Sequence, residues 1–597
     1  MLKGKKKYLT ILIIGIVLIG IGYLGYDVFV ASKLEFQENE RLFLEGVKKY
    51  YDFNPTKLPS VNGYREVSLD DMYDGKWVQI LKVNNKLCDG TSFMRVINDN
   101  GNYRYITYLK CDKYKSSVDS TKPEIILNGE DTVIVHLNTT YQDSGIKEVK
   151  DNKDKLTSSD VVIDTSKVDT SKVGTYKVDY KVYDKTYNVG KTSRTVIVAE
   201  TLSDNIIRNK GANFTYIGDI DDNYVLFSGM MFRIVGVDNE GNIKLITDNV
   251  VSNVSYGEND YKESNIYTWL NEYFYNHLNE NSKKYMKEVT WCYDNQENPG
   301  TIDTCNNSVN AKVGLLSVSE YERAKVNNRS YLTQVARYYL LNKQIDNNIW
   351  IPDIHTENTL ATVKSSDLVG VRPSIVLDKS IFLTGGNGTL DNPFKLQDYT
   401  YGVENDKLNT RLIGEYVHFS GYNFRISEID NSGNERLTAV DLLERENGLV
   451  SARYGDVEKI KPDVNQEGNL FYDLNNNAIN YITEDLLISH EYEIPVFELG
   501  KKYNELETTT IKSKISVPAS YEMFSAVNKG TNNAVIYWLS DYSEDGIATI
   551  VNGNNGIAFN LSRSIFEDNA LKIVIYLKDS VKIVSGKGTI NNPYHVR

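Results

Sequence analysis

Hydrophobic positions change their rhythm several times along the chain. From Tyr8 to Tyr26 the sequence reads YLTILIIGIVLIGIGYLGY, 19 residues without a charge, and a helix of that length spans about 28 Å, the depth of a bilayer core. Four lysines precede the run and Asp27 follows it. The pattern predicts a transmembrane helix over 8–30 with a cytoplasmic tail 1–7 and everything beyond outside, a cleaved signal peptide being the alternative. Phe29, Phe36, Phe43 and Tyr50 then recur every seven residues, with Val47 on the same face, which predicts an amphipathic helix ending at Asn54 and Pro55. KWVQILKV (76–83) and YRYITYLKC (103–111) alternate as strands and are expected to join through the turn Asn98 to Asn102. From Lys122 to Val198, β-rich runs alternate with turn clusters at sandwich spacing.

The remaining two thirds of the chain is duplicated. Tyr224–Thr247 reads YVLFSGMMFRIVGVDNEGNIKLIT and Tyr416–Ala439 reads YVHFSGYNFRISEIDNSGNERLTA, identical at 13 of 24 positions. The copies close on GNGTLDNPF (Gly386–Phe394) and GKGTINNPY (Gly586–Tyr594). Each should open with strands around a DNxGN turn, as at Tyr224–Val237 and Ile243–Ile246. Helical patterns follow at Ser264–Met286 and Ser317–Val326, and a strand at Gly370–Leu377. The expected fold class is multidomain, mainly β and α+β: an N-terminal transmembrane helix, a stalk with a small sheet over 31–119, a β-sandwich over 120–199, and tandem α+β domains over 205–397 and 405–597.

Charge narrows the partners. The net charge is −13 and the dense basic cluster is Lys3 to Lys7, so no nucleic acid is expected, because phosphate neutralisation needs basic stripes. An extracellular address makes disulfides reasonable, and of the three possible pairings the local ones are favoured, Cys88 with Cys111 and Cys292 with Cys305; buried free thiols are the alternative.

Several segments resemble known families. The hydrophobic N-terminal helix beside a cysteine-paired sheet, with CDG at Cys88–Gly90 and YITYLKCDKYKSS after it, resembles the pilin-like module of Firmicutes surface proteins, although no GFTLxE processing site precedes the apolar run. Pro123, LNG at Leu127–Gly129, YQDSG at Tyr141–Gly145 and VDTSKVGTYKVDYKV at Val168–Val182 resemble the bacterial Ig-like domain first named from a pesticidal crystal protein, which implies a spacer. FRI, TWLNEYF, GLLSVSEYE, YYLLN and GVRPSIVL resemble a widespread domain of Firmicutes proteins to which no activity is attached. The second copy departs from it: Trp269 aligns with Asp473, and GVRPSIVL with ALKIVIYL (Ala570–Leu577), leaving Arg372 without an expected counterpart.

Chemistry is sparse. Arg233 and Arg425 hold the same place in the two Phe-Arg-Ile triplets and, with Arg372, are the candidate forks for a carboxylate or sugar. Trp269, Trp350 and Trp538 could stack on sugar rings, though core packing is favoured. Six histidines (His136, His277, His355, His418, His490, His595) lack ligand spacing. Asp143, Asp151 and Asp184 could at best line a calcium site, with surface solvation favoured because the EF-hand pattern is absent. No catalytic motif, cofactor or metal site is expected. The sequence therefore predicts a membrane-anchored surface protein that binds a cell-wall or host glycan, or a surface protein, through its duplicated domains. A scaffold without ligand, or an envelope enzyme acting through copy one, are the alternatives.

Overall fold

The computed structural model describes residues 29–597 except 258–259, 300–303, 334–335, 345–347, 354–358, 446–447, 456–459, 527–534, 544–546, 553–556 and 562–566. Two compact units make up the chain, Met1–Val198 and Ala199–Arg597. The expected fold class needs correction. Strands make up most of the regular secondary structure, helices in the duplicated part are short, and among the described residues no helix is long and apolar enough to cross a membrane. The tail 1–7, the apolar run 8–26 and His355 lie outside the described residues.

In the first unit a helix over 29–53 buries Phe36, Phe43 and Val47 of the expected face, while Tyr50 is half-buried and Phe29, at the other end of the stripe, is exposed. It packs on a three-stranded sheet ordered Gly63–Ser68, Phe93–Asp99, Asn102–Tyr108. The strand expected at 76–83 shrinks to Lys82–Val83, because the Trp77 and Val78 amides donate to the Met72 carbonyl and wrap the end of helix Leu69–Asp74. The partner of Asn102–Tyr108 is instead Phe93–Asp99. Cys88 and Cys111 form one disulfide. Beyond them, a two-stranded and a four-stranded sheet enclose Val178, Tyr180, Val196 and Val198. Asp143 is no surface ligand there: it accepts from Arg194 at 2.8 Å and from the hydroxyls of Tyr141 and Tyr180.

The second unit turns the duplication into geometry. Copy one forms a seven-stranded sheet ordered Val313–Gly314, Ser374–Leu377, Ile243–Thr247, Met230–Val237, Tyr224–Phe227, Phe394–Leu396, Leu383–Gly385. Copy two repeats that order with Ile515–Ser516, Val574–Leu577, Glu435–Ala439, Tyr422–Ile429, Tyr416–Phe419, Tyr594–Val596, Ile583–Ser585. The opening hairpins turn on Ser228–Gly229 (φ 51° and 78°) and Ser420–Gly421 (φ 53° and 84°), two successive positive φ values of the kind that match the twist of paired strands. The closing motif of each copy returns parallel to its opening strand, Val225 facing Phe394 and Val417 facing Tyr594. A third seven-stranded sheet is shared: Ser252–Ser255 and Leu368–Val371 of copy one continue into Ile557–Leu561, Ile547–Asn552, Ile536–Ser543, Asn569–Ala570 and Ser451–Ala452 of copy two. Met523, Phe524 and Ala526 of copy two are buried in the core of copy one. The copies therefore fold against one another and share a core.

Candidate functional site

A cavity of about 460 Å³ opens where the copies meet, within the size range of small-molecule sites. One wall comes from copy one. Residues 265–277 form a helix whose middle, Trp269–Phe274, widens to a π-helical turn. Trp269 is fully buried and its indole N–H donates to the Tyr521 carbonyl of copy two at 2.7 Å. That bond fixes the helix so that Tyr273 and His277, each four residues further on, reach the cavity. Their rings lie 4.3 Å apart. The His277 Nδ1 is 2.8 Å from the Tyr273 carbonyl, and burial lowers its pKa. The imidazole is therefore neutral, donates from Nδ1 because a carbonyl only accepts, and keeps Nε2 as an acceptor.

Copy two supplies the rest. Buried Arg436 forms an ion pair with the partly buried Glu522, whose carboxylate also accepts from the Ala519 amide at 2.8 Å. Burial raises the Glu522 pKa and Arg436 offsets only part of that rise. His490 stacks flat on Tyr576 at 3.7 Å, and its Nε2 lies 3.2 Å from Asp430. Glu428, Glu491, Glu493, Tyr492 and Tyr521 also line it. Burial raises the pKa of the Tyr273, Tyr492, Tyr521 and Tyr576 hydroxyls, which stay protonated and can donate.

Copy one explains why this space is open. Strand registers equate Lys244 with Arg436, Trp291 with Tyr492 and Gly314 with Ser516. Lys244 pairs with Glu320, which accepts from the Ser317 amide at 2.9 Å, as Arg436 and Glu522 do in copy two. Over that pair lies the indole of Trp291, with Lys244 4.7 Å from its ring and Gly314 so close beneath that a Cβ there would stand 2.3 Å from it. In copy two a phenol replaces the indole and Ser516 replaces the glycine. Both line the cavity.

None of the six arginine and tryptophan candidates lines it. Arg372 is fully buried at the corner between Leu368–Val371 and Ser374–Leu377, donating to the carbonyls of Thr247, Asp248 and Leu332. Its counterpart exists after all: Lys572, buried, donates to the Ala526 carbonyl at 2.6 Å. Arg233 bonds Asn223 and the Ile220 carbonyl with its guanidinium 3.8 Å from the Tyr224 ring centre, and Arg425 bonds the Gly414 carbonyl over Phe524. Trp538 is fully buried with its N–H on the Ala452 carbonyl, and Trp350 is buried with its N–H on Gln296. Cys292 and Cys305 form the second disulfide. The sequence reading missed Arg436 and Glu522, although both were visible in it: Arg436 stands in the duplicated phrase, and Ala519-Ser-Tyr-Glu522 preserves the spacing of Ser317-Val-Ser-Glu320.

Two family models match the chain. Residues 125–198 match the Ig-like domain of bacterial surface proteins, and residues 240–378 match a domain of unknown function, DUF6273. Among curated proteins nothing matches. Solved structures give partial likenesses. A lipoprotein of Bacteroides thetaiotaomicron is 18% identical over 21% of this chain and 61% of its own, with a TM-score of 0.12. The CBM51-2, in complex with GlcNAc, and INT domains of Clostridium perfringens ZmpB are 16% identical over 47% of this chain and 49% of theirs, with a TM-score of 0.12. The Ig-like match gives this chain the character of a bacterial surface protein, with a domain of unknown function in its duplicated part.

Proposed function

We propose that the duplicated unit is the binding head of a surface protein and that the cavity between its copies takes a neutral or amine-bearing glycan of the cell wall or of a host. The cavity carries the reading: four tyrosine rings offer faces to the apolar side of a sugar, while hydroxyls, imidazole edges and carboxylates offer the few converging polar groups that fix orientation. Charge selects the ligand class. Glu428, Glu491, Glu493 and Glu522 outnumber Arg436, which is already paired, so phosphate-rich polymers are repelled and neutral or cationic rings are favoured. In this reading the helix-and-sheet module is a pilin-like stalk, the Ig-like domain is a spacer, and the protein holds its ligand without transforming it.

The test is binding of the purified protein, and of the variants His490→Ala and Glu428→Gln, to isolated wall sacculi and to neutral, amino and phosphorylated glycans. Saturable retention on neutral or amino sugars, weakened at least tenfold by His490→Ala and by Glu428→Gln, supports the reading. Equal retention of all three proteins, or a preference for phosphorylated polymers, contradicts it. Retention on no surface favours a scaffold.

A further inference from the structure

The first unit gathers three aspartates, and Lys153 is the cation that acts on Asp119 through space. Asp119 lies between the three-stranded sheet and the Ig-like strands, Asp151 follows strand Ile146–Lys150, and Asp184 follows strand Gly174–Tyr183. One carboxylate oxygen from each lies within 4.8 Å of those of the other two. Asp119 is 5% exposed, and its Oδ2, like Oδ2 of Asp151, is buried without a hydrogen-bond partner. A buried anionic oxygen with nothing to satisfy it is costly, and two of the three clustered carboxylates carry one.

The other oxygens are held by their own turns. Asp119 Oδ1 accepts from the Thr121 amide (3.0 Å) and the Asn152 side chain (3.2 Å), and Asp151 Oδ1 accepts from the amides of Lys153 and Asp154 (2.9 and 2.7 Å). Asp184 is oriented by the amides of Thr186 and Asn188 and by the Asn188 side chain. The nearby guanidinium of Arg95 does not neutralise the cluster, because it is engaged with Glu66, the Thr186 carbonyl and Asn188 Oδ1.

We infer that Asp119, Asp151 and Asp184 form a divalent-cation site that takes calcium. The donor set is all oxygen and contains no histidine or thiolate, which selects hard cations over zinc or copper. Ligands come from three separate loops, and such an arrangement suits the larger, geometrically tolerant calcium better than magnesium with its strict octahedron. Because Asp119 belongs to the connecting segment, and its carbonyl already accepts from Tyr108 and Asn188, the ion ties that segment to two loops of the Ig-like domain.

Calcium titration of the chelator-treated full chain by calorimetry tests this, with Asp119→Asn and Asp151→Asn as variants and the exposed Glu404→Gln as a control outside both sites. We expect one saturable site per chain with Kd between about 10⁻⁵ and 10⁻³ M. Each aspartate variant should weaken it at least tenfold, the control should not, and magnesium should bind at least tenfold more weakly. Either aspartate variant that folds, as judged by circular dichroism, suffices. No saturable calcium binding up to 10⁻² M in order of magnitude, or binding unchanged in a folded variant, overturns the site.

Discussion

Glu435 stands where copy one has Ile243, fully buried in both cases, and neither of its carboxylate oxygens has a hydrogen-bond partner. Burial pushes its pKa up to about 8. A carboxyl pKa raised on folding means that the native state keeps a proton the unfolded chain gives up, so stability falls as pH rises from about 4.3 towards about 8. Glu435→Ile, the residue of the sister copy, should therefore stabilise the protein progressively across that window, by up to roughly 1.4 kcal/mol per pH unit. Chemical denaturation of both proteins at pH 5 and pH 8 measures it. Parallel stabilities at the two pH values would contradict the assignment of Glu435 as the titrating group. The same comparison of copies shows what was legible in the sequence and what was not. Lys572 sits opposite Arg372 in the aligned strands, but its equivalence as a buried cation depends on where the corner of the chain folds. Only the geometry places both cations on main-chain carbonyls of the segments at 332 and 526.

At the scale of elements, the repeated Ser-Gly hairpins and the DNxGN turns were legible because they obey local rules. Asp238 and Asp430 each bind the amides and side chain of the asparagine four residues on, and Gly241 and Gly433 take φ of 88° and 82°. The helical pattern at Ser264–Met286 was legible as helix but not as a broken one with a π-helical turn, since that turn answers to a partner 252 residues away, the carbonyl bonded by Trp269. The drift from Trp269 to Asp473 has the same origin. The Leu-Asn that follows both is kept because Asn271 and Asn475 bridge the strands at Val313 and Ile515, whereas Trp269 reaches into the sister copy. Trp269→Phe keeps a ring in the core and removes that one bond. It should cost about 1 kcal/mol of stability and weaken ligand binding several-fold by loosening Tyr273 and His277. Unchanged affinity, measured by calorimetry alongside thermal unfolding, would separate this helix from the site.

For the whole molecule, duplication was evident in the sequence, but its consequence was not. Two similar domains in tandem suggest two separate heads, whereas these copies share a sheet and a core and enclose one cavity with residues from both. No spacing rule brings His277 beside Glu428 and Tyr492, and no motif announces that a tyrosine has replaced a cavity-filling tryptophan. The apolar stripe of the N-terminal helix and both cysteine pairs were legible, being local in the chain. The divergence of the copies gives the account its sharpest test. Tyr492→Trp combined with Ser516→Gly restores in copy two the arrangement by which Trp291 covers Gly314 and Lys244 in copy one. Glycan binding by this double variant, measured by calorimetry against the parent with folding checked by thermal unfolding, is the decisive measurement. The account predicts an intact fold with binding lost; an intact fold that binds as tightly as the parent would contradict it.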